Sequence, residues 1–280
     1  MKRQKLFLAT AISLPGLLTL CACAPVVELF GPRPDSALVE LAAAEQAAGR
    51  TEHADALFAE VYRLCGTTPE GGPPHTCLVD REQAVRNLAD SPAPALLDAR
   101  VPEESRPLII SLAINNAAAQ RRQNLEGNPS EDNVANPSSD DPLGLPALPA
   151  QLTENEANQA RALLDWEYQV IWGLDFARAY ASEGLEERVD GLINDHQEIA
   201  QRLSAALDSA PVPAAGYDSG EVGLPTNAEQ AEHFSGELQA RTAARFEREA
   251  TLAPQAKASG DSQASWIEWL VATAAWARTR

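Results

Sequence analysis

The chain has 280 residues, enough for a sizeable core, and carries 40 acidic against 22 basic residues for a formal net charge of −18. A surface this acidic repels phosphate backbones and argues against nucleic acid as a partner. Its hydrophobic 45% is mostly Ala and Leu with only 5% aromatic residues, a mixture that disfavours strands and predicts an all-α protein.

At the N-terminus, Lys2, Arg3 and Lys5 precede an apolar stretch from Leu6 to Leu20 interrupted by Pro15 and Gly16. The stretch is short for a membrane span and suits the core of an export signal over residues 1–22. It ends in Leu20-Cys21-Ala22-Cys23, which resembles the lipobox of bacterial lipoproteins. Cys23 fits the lipidated position better than Cys21, because the small Ala22 precedes it. The resemblance implies a diacylglycerol on Cys23 and a lipid-anchored protein on the outer face of the cell membrane, since two acyl chains give stable anchoring. A plain secreted protein cut nearby is the alternative. Residues 23–34, with Pro25, Pro32, Pro34 and Gly31, read as a tether.

Residues 35–125 read as an N-terminal helical region. Asp35 caps a helix through Ala37, Leu38, Leu41 and Ala44 that stops near Gly49. Thr51 restarts it through Leu57, Val61 and Leu64 to Cys65. A loop over 66–74 follows, then a short helix from Asp80 to Leu88, and a longer one opened by Pro107 and running toward Arg122. Beyond Cys21 and Cys23, Cys65 and Cys77 are the only cysteines. In an oxidising compartment two thiols this close most simply form one disulfide. His75 permits a thiolate–imidazole metal reading as well, with at most three of the four ligands a structural zinc site needs. His53 reads as a solvated side chain.

Residues 126–151 hold Pro129, Pro137, Pro142, Pro146 and Pro149 among Asn, Ser, Asp and Gly, and read as a disordered linker. Residues 152–280 then predict four amphipathic helices. Thr153-x-x-Glu156 is a capping box opening the first, with Gly184 in the turn that ends it. The second runs to about Leu207. Thr226-x-x-Glu229 opens the third through Ala231, Phe234, Leu238, Thr242 and Phe246. Asp261 caps the fourth, which carries Trp266, Trp269, Leu270, Val271 and Trp276. Four helices of this length with a longer central connection read as a four-helix bundle.

Two polar residues interrupt the apolar stripes: Glu167 among Leu163, Leu164, Val170, Ile171 and Leu174, and His196 among Leu192, Ile199 and Leu203. In an antiparallel hairpin their heights differ by roughly 4–5 Å, within side-chain reach. Trp166-Glu167-Tyr168, Gly173, His196, the loop from Tyr217 to Leu224-Pro225, and the ending Trp276-Ala277-Arg278 resemble the ferritin-like domains of the actinobacterial DUF4439 family. The resemblance covers about Thr153 to Arg280 and implies a ferritin-like bundle, without an activity to carry over.

A ferritin-like di-metal site needs a Glu from each of two helices and a Glu-x-x-His pair from each of the other two. Here Ile193 precedes His196 by three residues, Gln230 precedes His233, and the last helix has no histidine. The candidate metal set is therefore Glu167 and His196, with Glu268 as a third member, for iron or manganese. The bland reading is a buried polar pair in which each satisfies the other. No phosphate loop, nucleophile elbow or His-Glu-x-x-His is present in the sequence. The first reading is thus a non-enzymatic envelope lipoprotein whose helical ectodomain binds or scaffolds an unknown protein partner. The alternative is a ferritin-like metal-binding protein or metal-dependent oxidase.

Overall fold

In the structure, a computed structural model, residues 31–89, 93–126, 141–218, 223–254 and 262–280 are described, the last stretch with side chains from Trp266 onward. These residues form eight α-helices and no strand, so the protein is all-α. The helices are α1 (Ser36–Ala47), α2 (Thr51–Cys65), α3 (Arg81–Asn87), α4 (Arg106–Glu126), α5 (Glu154–Arg178), α6 (Glu183–Ala205), α7 (Ala228–Leu252) and α8 (Ser262–Ala277). Among the described residues no helix is long and apolar enough to cross a membrane.

Helix starts follow local chemistry. Asp35 accepts from the Leu38 N–H and Asp80 from the Gln83 N–H, each satisfying a first-turn donor that has no intrahelical partner. Both halves of the Thr153/Glu156 capping box form. Two predicted starts move. Asn227, not Thr226, caps α7: its Oδ1 accepts from the Gln230 N–H at 2.9 Å, while Thr226 donates to the Gln230 side chain. Asparagine is the stronger cap, so the helix start shifts by one residue. Gly184 is not in a turn; α6 opens at Glu183, with Glu183 and Glu186 at the positive end of its dipole. Asp261 lies outside the described residues.

In the N-terminal region α1 and α2 bury Leu38, Leu41, Leu57, Phe58 and Val61 against Ile109 and Leu112 of α4. The Cys65–Cys77 disulfide is formed, so neither sulfur is a thiolate ligand, and His75 is exposed. Thr76 donates to the Pro32 carbonyl, pinning the end of the predicted tether beside the disulfide. The bond closes a short loop, and its reduction is expected to cost about 3 kcal/mol, read as an earlier unfolding midpoint in dithiothreitol. An unchanged midpoint would remove this contribution. His53 is not solvated: its Nδ1 lies 3.1 Å from Oε2 of Glu45, a nearly buried carboxylate that also accepts from Arg50.

The division of the chain differs from the predicted one in two ways. α4 is shared between both halves. Ile109 and Leu112 face the N-terminal core, while Ile110, Ala113, Ile114 and Ala118 enter the C-terminal core beside α7 and α8. Arg106, at its start, donates to the Ala250 and Ala253 carbonyls, covering the negative end of α7. The predicted linker is also not free throughout. Residues 127–140 lie outside the described residues, but Leu143 and Leu145 are buried in the C-terminal core. Proline-rich composition is no bar to burial where a few leucines meet an open apolar face.

Asp141 fastens this segment. Its carboxylate accepts from Arg202 and from the N–H groups of Leu143 and Leu145. Burial alone raises the Asp141 carboxyl, but the Arg202 guanidinium and the two N–H groups outweigh it and hold the group below the usual carboxylate range. With a depressed folded value, the stabilisation is fully present above the unfolded value of about 4 and is lost as pH falls through the folded one. Asp141→Asn is therefore expected to lower the melting temperature at neutral pH and to converge on wild type in acid. A gap that stays constant across a pH series of melting curves would rule out the ion pair as its cause.

The C-terminal core is built from two hairpins, α5–α6 and α7–α8, joined by packing of α5 on α7. Gly173 permits the latter contact: a Cβ there would meet Leu238 Cδ1 at 3.0 Å and Phe234 Cε1 at 3.2 Å.

Candidate functional site

The α5–α6 hairpin brings Glu167 and His196 together at zero exposure, with His196 Nδ1 2.5 Å from Glu167 Oε2. Leu163, Leu164, Val170 and Leu174 put one face of α5 in the core, and Val189, Ile199 and Leu203 do the same for α6. Each polar residue shares its helix's buried stripe, so neither can reach water. The other ring nitrogen, Nε2, lies 2.8 Å from Nε2 of Gln239 on α7. An amide nitrogen can only donate, so His196 Nε2 accepts and the ring proton sits on Nδ1, where it donates to Glu167. Trp276 of α8 stands edge-on to the imidazole, with ring centroids 5.1 Å apart. Four helices thus close around one imidazole.

A carboxylate orienting an imidazole is the geometry used to activate a nucleophile. Here, however, an amide occupies the nitrogen that would face a serine or cysteine. It cannot lose a proton in the required range, and no atom of the pair reaches solvent. The arrangement is a buried hydrogen-bond chain rather than a general base, with one oxygen each of Glu167 and Gln239 left without a partner.

The same geometry tests the ferritin-like metal site. Both imidazole nitrogens are engaged by Glu167 and Gln239. Glu268 does not join them: it is exposed on α8 between the buried Ile267 and Trp269. No group of three or more His, Cys, Asp or Glu side chains that could hold a metal exists among the described residues. The donor set does not fit a di-metal centre, which needs about six inward carboxylates and imidazoles. Exposed His233 lies outside this cluster. Cys23 and Cys21 lie outside the described residues.

Next to the chain of Glu167, His196 and Gln239 runs a groove of about 550 Å³ between α6 and α7. Leu185, Val189 and Leu192 form its α6 wall, Gly236 and Gln239 its α7 wall, and Arg280 one end. Arg188 bridges to Glu232 across it at 2.8 Å, and Arg280 to Asp195 at 2.7 Å while lying over Trp276. Burial pushes the Asp195 carboxyl up, against the pull chiefly of Arg280. Sequence reasoning missed Gln239. The available signal was a polar residue beside Leu238 and three before Thr242, on the buried stripe of α7. The groove had no sequence signal.

No protein-family model, no curated protein and no solved structure matches this chain.

Proposed function

We propose that the protein is a cell-envelope lipoprotein, held on the outer face of the membrane by a lipid on Cys23, whose ferritin-like helical ectodomain binds rather than catalyses. The observation carrying the second half is the closure of His196 by Glu167 and Gln239 at zero exposure. The residues that looked most like chemistry in the sequence are used up in holding helices together. The disulfide supports the first half, since such bonds persist in oxidising compartments outside the cytoplasm. The two long hairpins support the ferritin-like reading, while the donor set argues against a ferritin-like metal function. The acidic surface disfavours nucleic acid and leaves a protein or small ligand as partner.

Fractionation of cells tests the anchor. Wild type is expected with the membranes, Cys23→Ser in the soluble fraction or as unprocessed precursor, and Cys21→Ser as wild type. Equal membrane retention and processing of Cys23→Ser and wild type would sink the reading.

A further inference from the structure

α3 lies on α1 but buries none of its seven residues. Ala84 on it and Leu88 at its end stay half-exposed, as do Val79 before it and Val39 of α1. With Pro34 and Leu78 these side chains line a groove of about 420 Å³ between the two helices. Leu78 is 57% exposed and takes no part in the N-terminal core. A lone exposed leucine is ordinary on a protein surface. This one stands where the chain leaves toward Cys23. Thr76 donates to the Pro32 carbonyl at 2.7 Å, and from that contact the two segments run straight into the groove, one reaching Pro34 and the other Leu78.

Nine residues separate Cys23 from Pro32, and even fully extended they span only about 30 Å. A bilayer holding a lipid on Cys23 therefore lies within that distance of the groove's edge, and the covalent link presents it at a high effective concentration. A contact too weak to hold a free protein on a membrane is then enough. The charge of this face permits the approach. Over residues 31–40 and 78–88 three arginines stand against four carboxylates. Asp35 and Asp80 cap their helices, Arg86 lies 3.6 Å from Glu82, and Arg81 bridges to Asp55. In a chain of net charge −18 this face is close to neutral, so it does not repel headgroup phosphates as the rest of the surface does.

We propose that the α1–α3 face docks on the surface of the bilayer, with Leu78 entering the boundary between headgroups and acyl chains. This deepens the lipid-anchor reading above and rests on it. Fractionation tests that reading, whereas the experiment below supplies the anchor chemically, so either can fail alone.

The test uses the chain from Cys23 onward, the form that processing at the lipobox leaves. With Cys65 and Cys77 bonded, Cys23 carries its one free thiol and couples to a maleimide-bearing phospholipid in phosphatidylcholine vesicles. Hydrogen exchange read by mass spectrometry compares this anchored protein with the same chain capped by N-ethylmaleimide in buffer. Amides over residues 78–88 are expected to exchange at least about fivefold more slowly when anchored, and those over 212–218 at an unchanged rate. Leu78→Asp is the informative variant. Its side chain lies outside the core, so the melting temperature should stay at the wild-type value while the slowing is lost. Absence of slowing, slowing shared equally by residues 212–218, or slowing that survives Leu78→Asp would overturn the proposal. So would slowing in the capped protein that grows with its own concentration, since a second copy would then be the occupant.

Discussion

His196→Leu is expected to destabilise the protein by about 3–5 kcal/mol, because it leaves the Glu167 carboxylate buried without its partner. The same change strands the Gln239 amide N–H. Glu167→Gln should cost less, since an amide oxygen still accepts from His196 Nδ1–H and no charge is left behind. The double variant Glu167→Met/His196→Leu should recover much of the loss, because the uncompensated charge is gone. Recovery should stop short of wild type by about 1 kcal/mol for the Gln239 donor that remains. Urea unfolding of the four proteins measures the cycle. A His196→Leu midpoint indistinguishable from wild type would show that the pair does not hold the bundle. Repeating the melts with iron or manganese separates the metal reading. No shift is expected in any of the four, and a shift confined to wild type would place a metal on Glu167 and His196, since a ligand stabilises only the form that binds it.

Trp269→Ala is expected to cost a further about 3–5 kcal/mol in an independent experiment at the opposite end of the same core. Trp269 is fully buried, stacked on Trp266 with centroids 5.6 Å apart and edge-on to Phe246 at 5.7 Å. Removing it opens a cavity between α8 and α7, and each aromatic contact adds about 0.5–1.5 kcal/mol beyond area burial. Trp269→Phe should cost markedly less. It keeps a ring in place and deletes an Nε1–H that is buried without an acceptor. Because α4 packs on α8, a single cooperative transition is expected, with the helix signal of both halves lost together. An alanine variant no less stable than the phenylalanine one would contradict the packing argument.

Much of this protein was legible without coordinates because its determinants are local. Alanine and leucine content implied helices, and Asp35, Asp80 and the Thr153/Glu156 box marked helix starts through donors only a neighbouring side chain can satisfy. The Cys65–Cys77 pairing followed from proximity in the chain. The meeting of Glu167 and His196 followed from counting residues back from one hairpin turn. Tertiary structure decided everything that depends on which helix covers which face. Periodicity marks an apolar stripe but not its occupant, so α4, apolar on two sides, was assigned to one core when it serves two. Leu143 and Leu145 were lost in a proline-rich stretch for the same reason. Gln239 acquired meaning only once α7 was set against α6. The groove likewise exists only once α6 and α7 are placed side by side, which no residue type records.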